Sequence, residues 1–214
     1  MSHSFIKEMA MTSEKTLYTI NGSCSDAVVA LCAHLNLAVD ICERRDHDAA
    51  LTRINPSRTV PTFVSKDGPT LTQTTAILNH LARSYATELL GRSPEIRSKN
   101  EDLLSFGSTT MYNAFLLRFR PDRFAGDPAA QDAVREMSTA EIDAVLDALA
   151  DKINDSEFAV GDNLTTSDFY FLVMLNWADK IDPALLRARP TLLGYFNRLK
   201  SMPFHNRAFG AKAA

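Results

Sequence analysis

Apolar positions along the chain change their period near Pro94. Before that point short alternating runs are separated by turn residues. Thr16 to Ile20 reads as a strand, and Asn21-Gly22-Ser23 as the turn that ends it. Ser25 to Leu37 contains neither Gly nor Pro and reads as a helix. Val39 to Glu43 alternates as a second strand, and a short helix over Asp48 to Ile54 runs into the turn Asn55-Pro56-Ser57. Thr62 to Ser65 and Thr70 to Gln73 read as strands joined through Lys66-Asp67-Gly68-Pro69, a hairpin signal. Ala76 to Tyr85 is helical, with Ile77, Leu78 and Leu81 spaced for one buried face.

Beyond Pro94 no strand signal follows. Arg97 to Arg120 and Ala129 to Ile153 read as two long helices, the second with Ile142, Val145, Leu146, Leu149 and Ile153 at helical spacing. Asp168 to Asp179 is apolar nearly all round, as a helix at the centre of a bundle would be. Arg187 to Met202 gives another helix, ended before Pro203. The first half runs strand, helix, strand, helix, hairpin, helix, which is the thioredoxin-like α/β arrangement. Gly91-Arg92-Ser93-Pro94 reads as a linker. The expectation is a thioredoxin-like domain over 15–86 and an all-α helical bundle over 95–214.

Composition changes this picture little. The 214 residues, with 45% hydrophobic and 23% charged side chains, fit an ordinary globular chain with a sizeable core. A net charge of −3 with no dense Lys/Arg tract argues against nucleic acid as the main partner. Met1 to Lys15 lacks the apolar run of a signal peptide, and the most apolar stretch, Phe169 to Leu175, is far shorter than the roughly 20 residues of a membrane span. A cytoplasmic location with no membrane partner is the resulting expectation. Five scattered His and three Cys without close pairing give no metal-ligand spacing, so no metal is expected.

Three places carry candidate chemistry. Cys24 stands between a strand and a helix, where free N–H groups and the helix dipole favour a thiolate, while Asp26 opposes it. Ala27 occupies the position of a second redox cysteine, so Cys24 would need an external thiol partner. Otherwise Cys24 is a small residue packed under the helix. Val60-Pro61, just before a strand, would offer the Val60 backbone to an extended peptide if its bond is cis, and is an ordinary loop proline if trans. Gln73-Thr74 precedes a helix, where Thr74 either caps the helix or helps bind a carboxylate. In the thioredoxin-like arrangement these places converge on one sheet edge. Glutathione presents the three matching groups: a sulfur, an extended backbone and a terminal carboxylate.

On these residues the chain resembles the Beta class of bacterial cytosolic glutathione transferases, over nearly its whole length after Lys15. Leu17-Tyr18 with Gly22-Ser23-Cys24-Ser25 is similar to the Beta-class opening, and Leu71 to Ile77 to the family's glutamyl-binding turn. Phe119-Arg120-Pro121-Asp122 matches a Beta-class stretch, and Gly161 with Thr165-Thr166-Ser167-Asp168 the superfamily's folding box. The resemblance implies a homodimer that binds glutathione as cosubstrate and uses its thiolate to attack small hydrophobic electrophiles. Cys24 could also support thiol-disulfide exchange. A non-catalytic binding protein is the rival reading.

The resemblance also implies roles for particular residues. Cys24 and Tyr112 would be catalytic. Ser23, Cys24, Thr59, Val60, Pro61, Gln73, Thr74, Ser105, Thr109, Tyr112 and Asn113 would bind glutathione. Tyr112, Phe115 and Trp177 would form the acceptor site. The chain departs from the family pattern at Gln73, where an acid is usual, and at Tyr112-Asn113, where the family has a His-Lys pair. The loop after the second strand is short, leaving Arg44 and Arg45 as candidates for the family's lysine there.

Overall fold

The structure, a computed structural model, describes residues 13–154 and 156–209. The N-terminal stretch read as lacking a signal peptide lies mostly outside the described residues. Three strands form the sheet: β1 (Lys15–Thr19), β2 (Asp40–Glu43) and β3 (Thr62–Ser65). Their order is β2-β1-β3, with β1 parallel to β2 and antiparallel to β3. The register places Leu17 opposite both Ile41 and Phe63, and Tyr18 opposite Cys42 and Thr62.

Alternation along β1 divides the interior. Leu17 and Phe63 face α1 (Ser25–His34) and α3 (Thr74–Tyr85), while Tyr18 and Cys42 pack with Leu51 of α2 (Arg44–Ile54). The expected fourth strand is reduced to one bridge, Phe63 with Leu71, through two backbone bonds of 2.8 and 2.9 Å. Pro69 has no N–H to extend the ladder, and the chain turns into α3 at Thr74.

The second half is helical: α4 (Pro94–Phe106), α5 (Tyr112–Phe119), α6 (Pro128–Ile153), α7 (Thr166–Ile181), α8 (Ala184–Arg187), α9 (Pro190–Ser201) and α10 (Pro203–Phe209). The helix predicted over Arg97 to Arg120 is instead two helices joined by a π-helical turn, Gly107–Met111. At Gly107 an added Cβ would stand 3.0 Å from the Tyr170 ring and 3.2 Å from Phe171, so glycine lets this turn approach α7 without displacing either ring. The terminal helix α10, absent from the sequence reading, starts at Pro203, where proline opens a new helix after ending the last.

α7 is the central post. Phe169 to Leu175 are all buried, and its start is built on Asp168. That carboxylate accepts the Thr165 N–H (2.6 Å) and hydroxyl (2.9 Å), the Ala159 N–H (2.8 Å) and the Tyr195 hydroxyl (2.7 Å). The expected capping box is present. Burial pushes the Asp168 carboxyl upward, and the hydrogen bonds pull it back. Leu17, Phe63 and Leu78 of the α/β part share one apolar core with Phe115, Leu146 and Phe171 of the helical part.

Candidate functional site

Where the two parts meet, a cleft of about 1020 Å³ opens beside Cys24. The turn before Cys24 is held from several directions. Ser23 N–H donates to the Ile20 carbonyl (3.0 Å), and Ser25 Oγ donates to the same carbonyl (3.1 Å). The Gly22 N–H donates to Asp26 (2.9 Å), with Gly22 at φ +81°, a conformation that favours glycine. From across the cleft, Trp177 Nε1–H donates to the Gly22 carbonyl at 2.7 Å. Cys24 thus sits as N-cap of α1 on a turn fixed by both halves of the molecule.

The Cys24 thiol is nonetheless pushed up. Burial is the main cause and Asp26 adds to it, while hydrogen bonds from the Thr74 hydroxyl and its own backbone N–H pull down. The helix end therefore does not outweigh desolvation at Cys24. Thr74 is the first residue of α3 and directs its hydroxyl to sulfur; Gln73, not Thr74, is the N-cap, and it makes no side-chain cap.

The Val60-Pro61 bond is cis, which selects between the two readings left open above. The loop carrying it hangs on Asn55. Its amide donates to the Thr59 carbonyl (3.2 Å), to Thr59 Oγ1 (3.1 Å) and to Thr62 Oγ1 (2.9 Å), and its oxygen accepts from the Ser57 hydroxyl (2.6 Å). Arg58, at φ +56°, is held by Asp48, which also receives Arg44. These guanidinium groups, Arg58 foremost, hold the Asp48 carboxyl below the usual range.

Ser23, Cys24, Thr59, Val60, Pro61, Gln73, Thr74, Thr109, Tyr112 and Trp177 all border this one cleft. Ser105, Asn113 and Phe115 do not. Ser105 is exposed and contributes its carbonyl to the Ser108 and Thr109 hydroxyls (3.3 and 2.7 Å). Asn113 is exposed, about 100° round the helix from Tyr112. Phe115 is fully buried behind the wall, its ring 5.7 Å from Trp177 and 6.2 Å from Phe119. The face that meets the cleft is Tyr112, Leu116 and Phe119, at i, i+4 and i+7.

Burial raises the Tyr112 hydroxyl and the Cys24 charge adds to this, against Arg123 and Arg120. The Tyr112 phenol stays protonated and can donate toward a sulfur. Sequence reasoning missed Arg58, Tyr170, Arg123 and Lys180 as lining residues. They come from a loop, a buried helix and two helix ends, and only the fold assembles them. Among the described residues no group of His, Cys, Asp and Glu could hold a metal ion, and no helix is long and apolar enough to cross a membrane.

Residues 17–89 match the family model of the glutathione S-transferase N-terminal domain, and residues 108–203 that of the C-terminal domain. Glutathione S-transferase GstA of Escherichia coli O157:H7 is 26% identical over 145 residues, 66% of this chain and 69% of that protein. Mouse (Mus musculus) glutathione S-transferase A2 is 29% identical over 145 residues, spanning 66% of this chain and 61% of its own length, under two thirds. Among solved structures, a glutathione transferase homologue from Sulfitobacter with bound glutathione superposes with a TM-score of 0.83 at 21% identity, covering 94% of this chain and 99% of that one. A glutathione S-transferase from Xylella fastidiosa gives 0.81 at 21% identity, covering 92% and 98%. At such identities these likenesses show the fold.

Proposed function

Because this chain belongs to the glutathione S-transferase superfamily, we propose that it binds glutathione in the cleft beside Cys24 and conjugates it to small electrophiles. The observation that carries this reading is the convergence on one cleft of Cys24, the cis Val60-Pro61 turn and the Gln73-Thr74 start of α3. Val60 clamps the cysteinyl backbone, Gln73 and Thr74 hold the γ-glutamyl end, and Arg44 or Arg58 meets the glycyl carboxylate. Gln73 has no charge to attract the glutathione ammonium, so binding leans on these other contacts.

Conjugation is favoured over disulfide exchange by the state of Cys24. Desolvation pushes the half-buried Cys24 thiol up and so favours a form that can donate a hydrogen bond to the glutathione sulfur, whereas a thiolate there would repel a second anion. With Tyr112 as a further donor, the glutathione thiolate is stabilised without a positive charge from the Tyr112-Asn113 pair. The thiolate then attacks an electrophile held by Tyr112, Leu116, Phe119 and Trp177, with proximity supplying much of the rate.

Exchange through Cys24 is the second reading, favoured by the position of this cysteine on the cleft. We assign the chain to the Beta class on its Gly22-Ser23-Cys24-Ser25 turn, acting as a homodimer in the bacterial cytoplasm, as the family resemblance implies. Intact-mass measurement after incubation with oxidised glutathione tests the site. Wild type takes up one glutathione and Cys24→Ala none, while Cys24→Ala keeps a substantial part of any conjugating activity. Absence of an adduct together with absence of glutathione binding by calorimetry overturns the reading in favour of a binding protein.

A further inference from the structure

The cations on the cleft fall into two groups. Arg44 and Arg58, at the α2 end, share Asp48. On the opposite, helical wall stand Arg120, Arg123 and Lys180. Arg120 is forked onto Asp122 through bonds of 2.9 and 2.8 Å. Arg123 and Lys180 make no salt bridge among the described residues, although Arg123 acts through space on the Asp122 carboxylate that Arg120 holds, and no described carboxylate lines the cleft. Lys180 follows Trp177 by three residues on α7 and also borders a smaller neighbouring cleft that contains Asp26. In a chain of net charge −3, this wall concentrates positive charge against the overall sign.

The same wall carries an open aromatic face. Phe119 is 46% exposed, with its ring edge-on to Trp177 at a centroid distance of 5.3 Å, and Tyr112 lies 6.3 Å from Trp177. Flat apolar surface rimmed by two cations outside salt bridges, Arg123 and Lys180, suits a ring that bears a negative charge.

Resting on the reading that glutathione occupies the Cys24 side, we propose that the acceptor is an aromatic electrophile carrying a carboxylate or a similar anionic group. Its ring lies against Phe119 and Trp177, and its charge meets Arg123 and Lys180. For an aryl halide of this kind the glutathione sulfur forms a bond to the ring carbon. The carbon–halogen bond breaks, the halide leaves with its electron pair, and the thiol proton passes to water. No electron donor or acceptor is required.

The test uses two preformed products: glutathione S-linked to 2,6-dinitro-4-carboxyphenyl, and the same adduct with a neutral carboxamide in place of the carboxylate. Calorimetry on the full chain should show the carboxylate adduct binding about tenfold more tightly, with the difference shrinking in 0.5 M salt. In Arg123→Gln/Lys180→Gln the preference should collapse to within about twofold. Both positions are exposed, so the variant keeps its fold. Equal affinity for the two adducts in wild type, with glutathione still bound, overturns the anionic acceptor and leaves the glutathione site standing. Equal weakening of both adducts in the variant also overturns it, because the cations would then be serving glutathione itself. Binding of neither adduct nor glutathione overturns both readings.

Discussion

At the scale of single residues, Cys24 is set by a contest between a helix end and desolvation. The free N–H groups at the start of α1 favour a thiolate, but burial and the carboxylate of Asp26 push the thiol above its ordinary range. A raised thiol pKa means that the reactive thiolate fraction keeps rising with pH beyond the range of a free cysteine. Alkylation of Cys24 by iodoacetamide should therefore still be accelerating above pH 9. Asp26→Asn can keep the bond from the Gly22 N–H while removing the charge. It should speed alkylation at pH 7.5 by about twofold and shift the profile to lower pH. Mass mapping distinguishes Cys24 from the buried Cys32 and Cys42. An unchanged profile would mean that the Asp26 charge does not reach the sulfur.

Among the elements, α7 depends most on one side chain. Asp168 is fully buried and takes four donors: two from Thr165, one from Ala159 and one from Tyr195. Asn in its place turns one oxygen into an NH₂ that faces groups already donating, so two donors lose their acceptor. Asp168→Asn should cost about 3 kcal/mol, and Asp168→Ala about 3–5. For a chain of this size that is a fall in Tm of roughly 6–12 °C for the Asn variant, read by calorimetry. The signal for this cap was plain in Thr165 to Asp168, because a capping box is local. The π-helical turn at Gly107–Met111 was not readable, since it follows from how closely Gly107 approaches Tyr170 and Phe171. Ser108 and Thr109 of that turn reach the cleft, while Ser105 does not.

For the molecule as a whole, the α/β part and the helical bundle are locked by polar ties as well as by their shared core. Trp177 on α7 holds the Gly22 carbonyl, 155 residues away in sequence. Buried Asn100 on α4 donates to Thr166 Oγ1 (2.8 Å) and accepts from the Ser167 N–H (3.1 Å), and Thr166 Oγ1 in turn donates to Asn79 on α3 (3.1 Å). Unfolding is expected as one transition, since neither part can be removed without exposing the other's core. Trp177→Phe loses the tie to Gly22 at a cost of about 1 kcal/mol, or roughly 2–4 °C in Tm. A single shifted transition should remain. Two resolved transitions in wild type would show that the parts fold independently.

What the sequence determined by itself is what local physics encodes. The order of strands and helices, the turn around Gly22, the cap at Asp168 and the cysteine at a helix start all rest on neighbours within a few residues. Distant contacts decided the remainder. The fourth strand shrank to the Phe63–Leu71 bridge because Pro69 and the turn into α3 withheld its partners. Phe115 went into the core and Phe119 into the cleft, although both rings pack on Trp177 of α7, a division that only the packing of remote helices draws. The protonation of Cys24 and the gathering of Arg123 and Lys180 opposite it are also tertiary, since burial and electric fields arise only when remote segments meet.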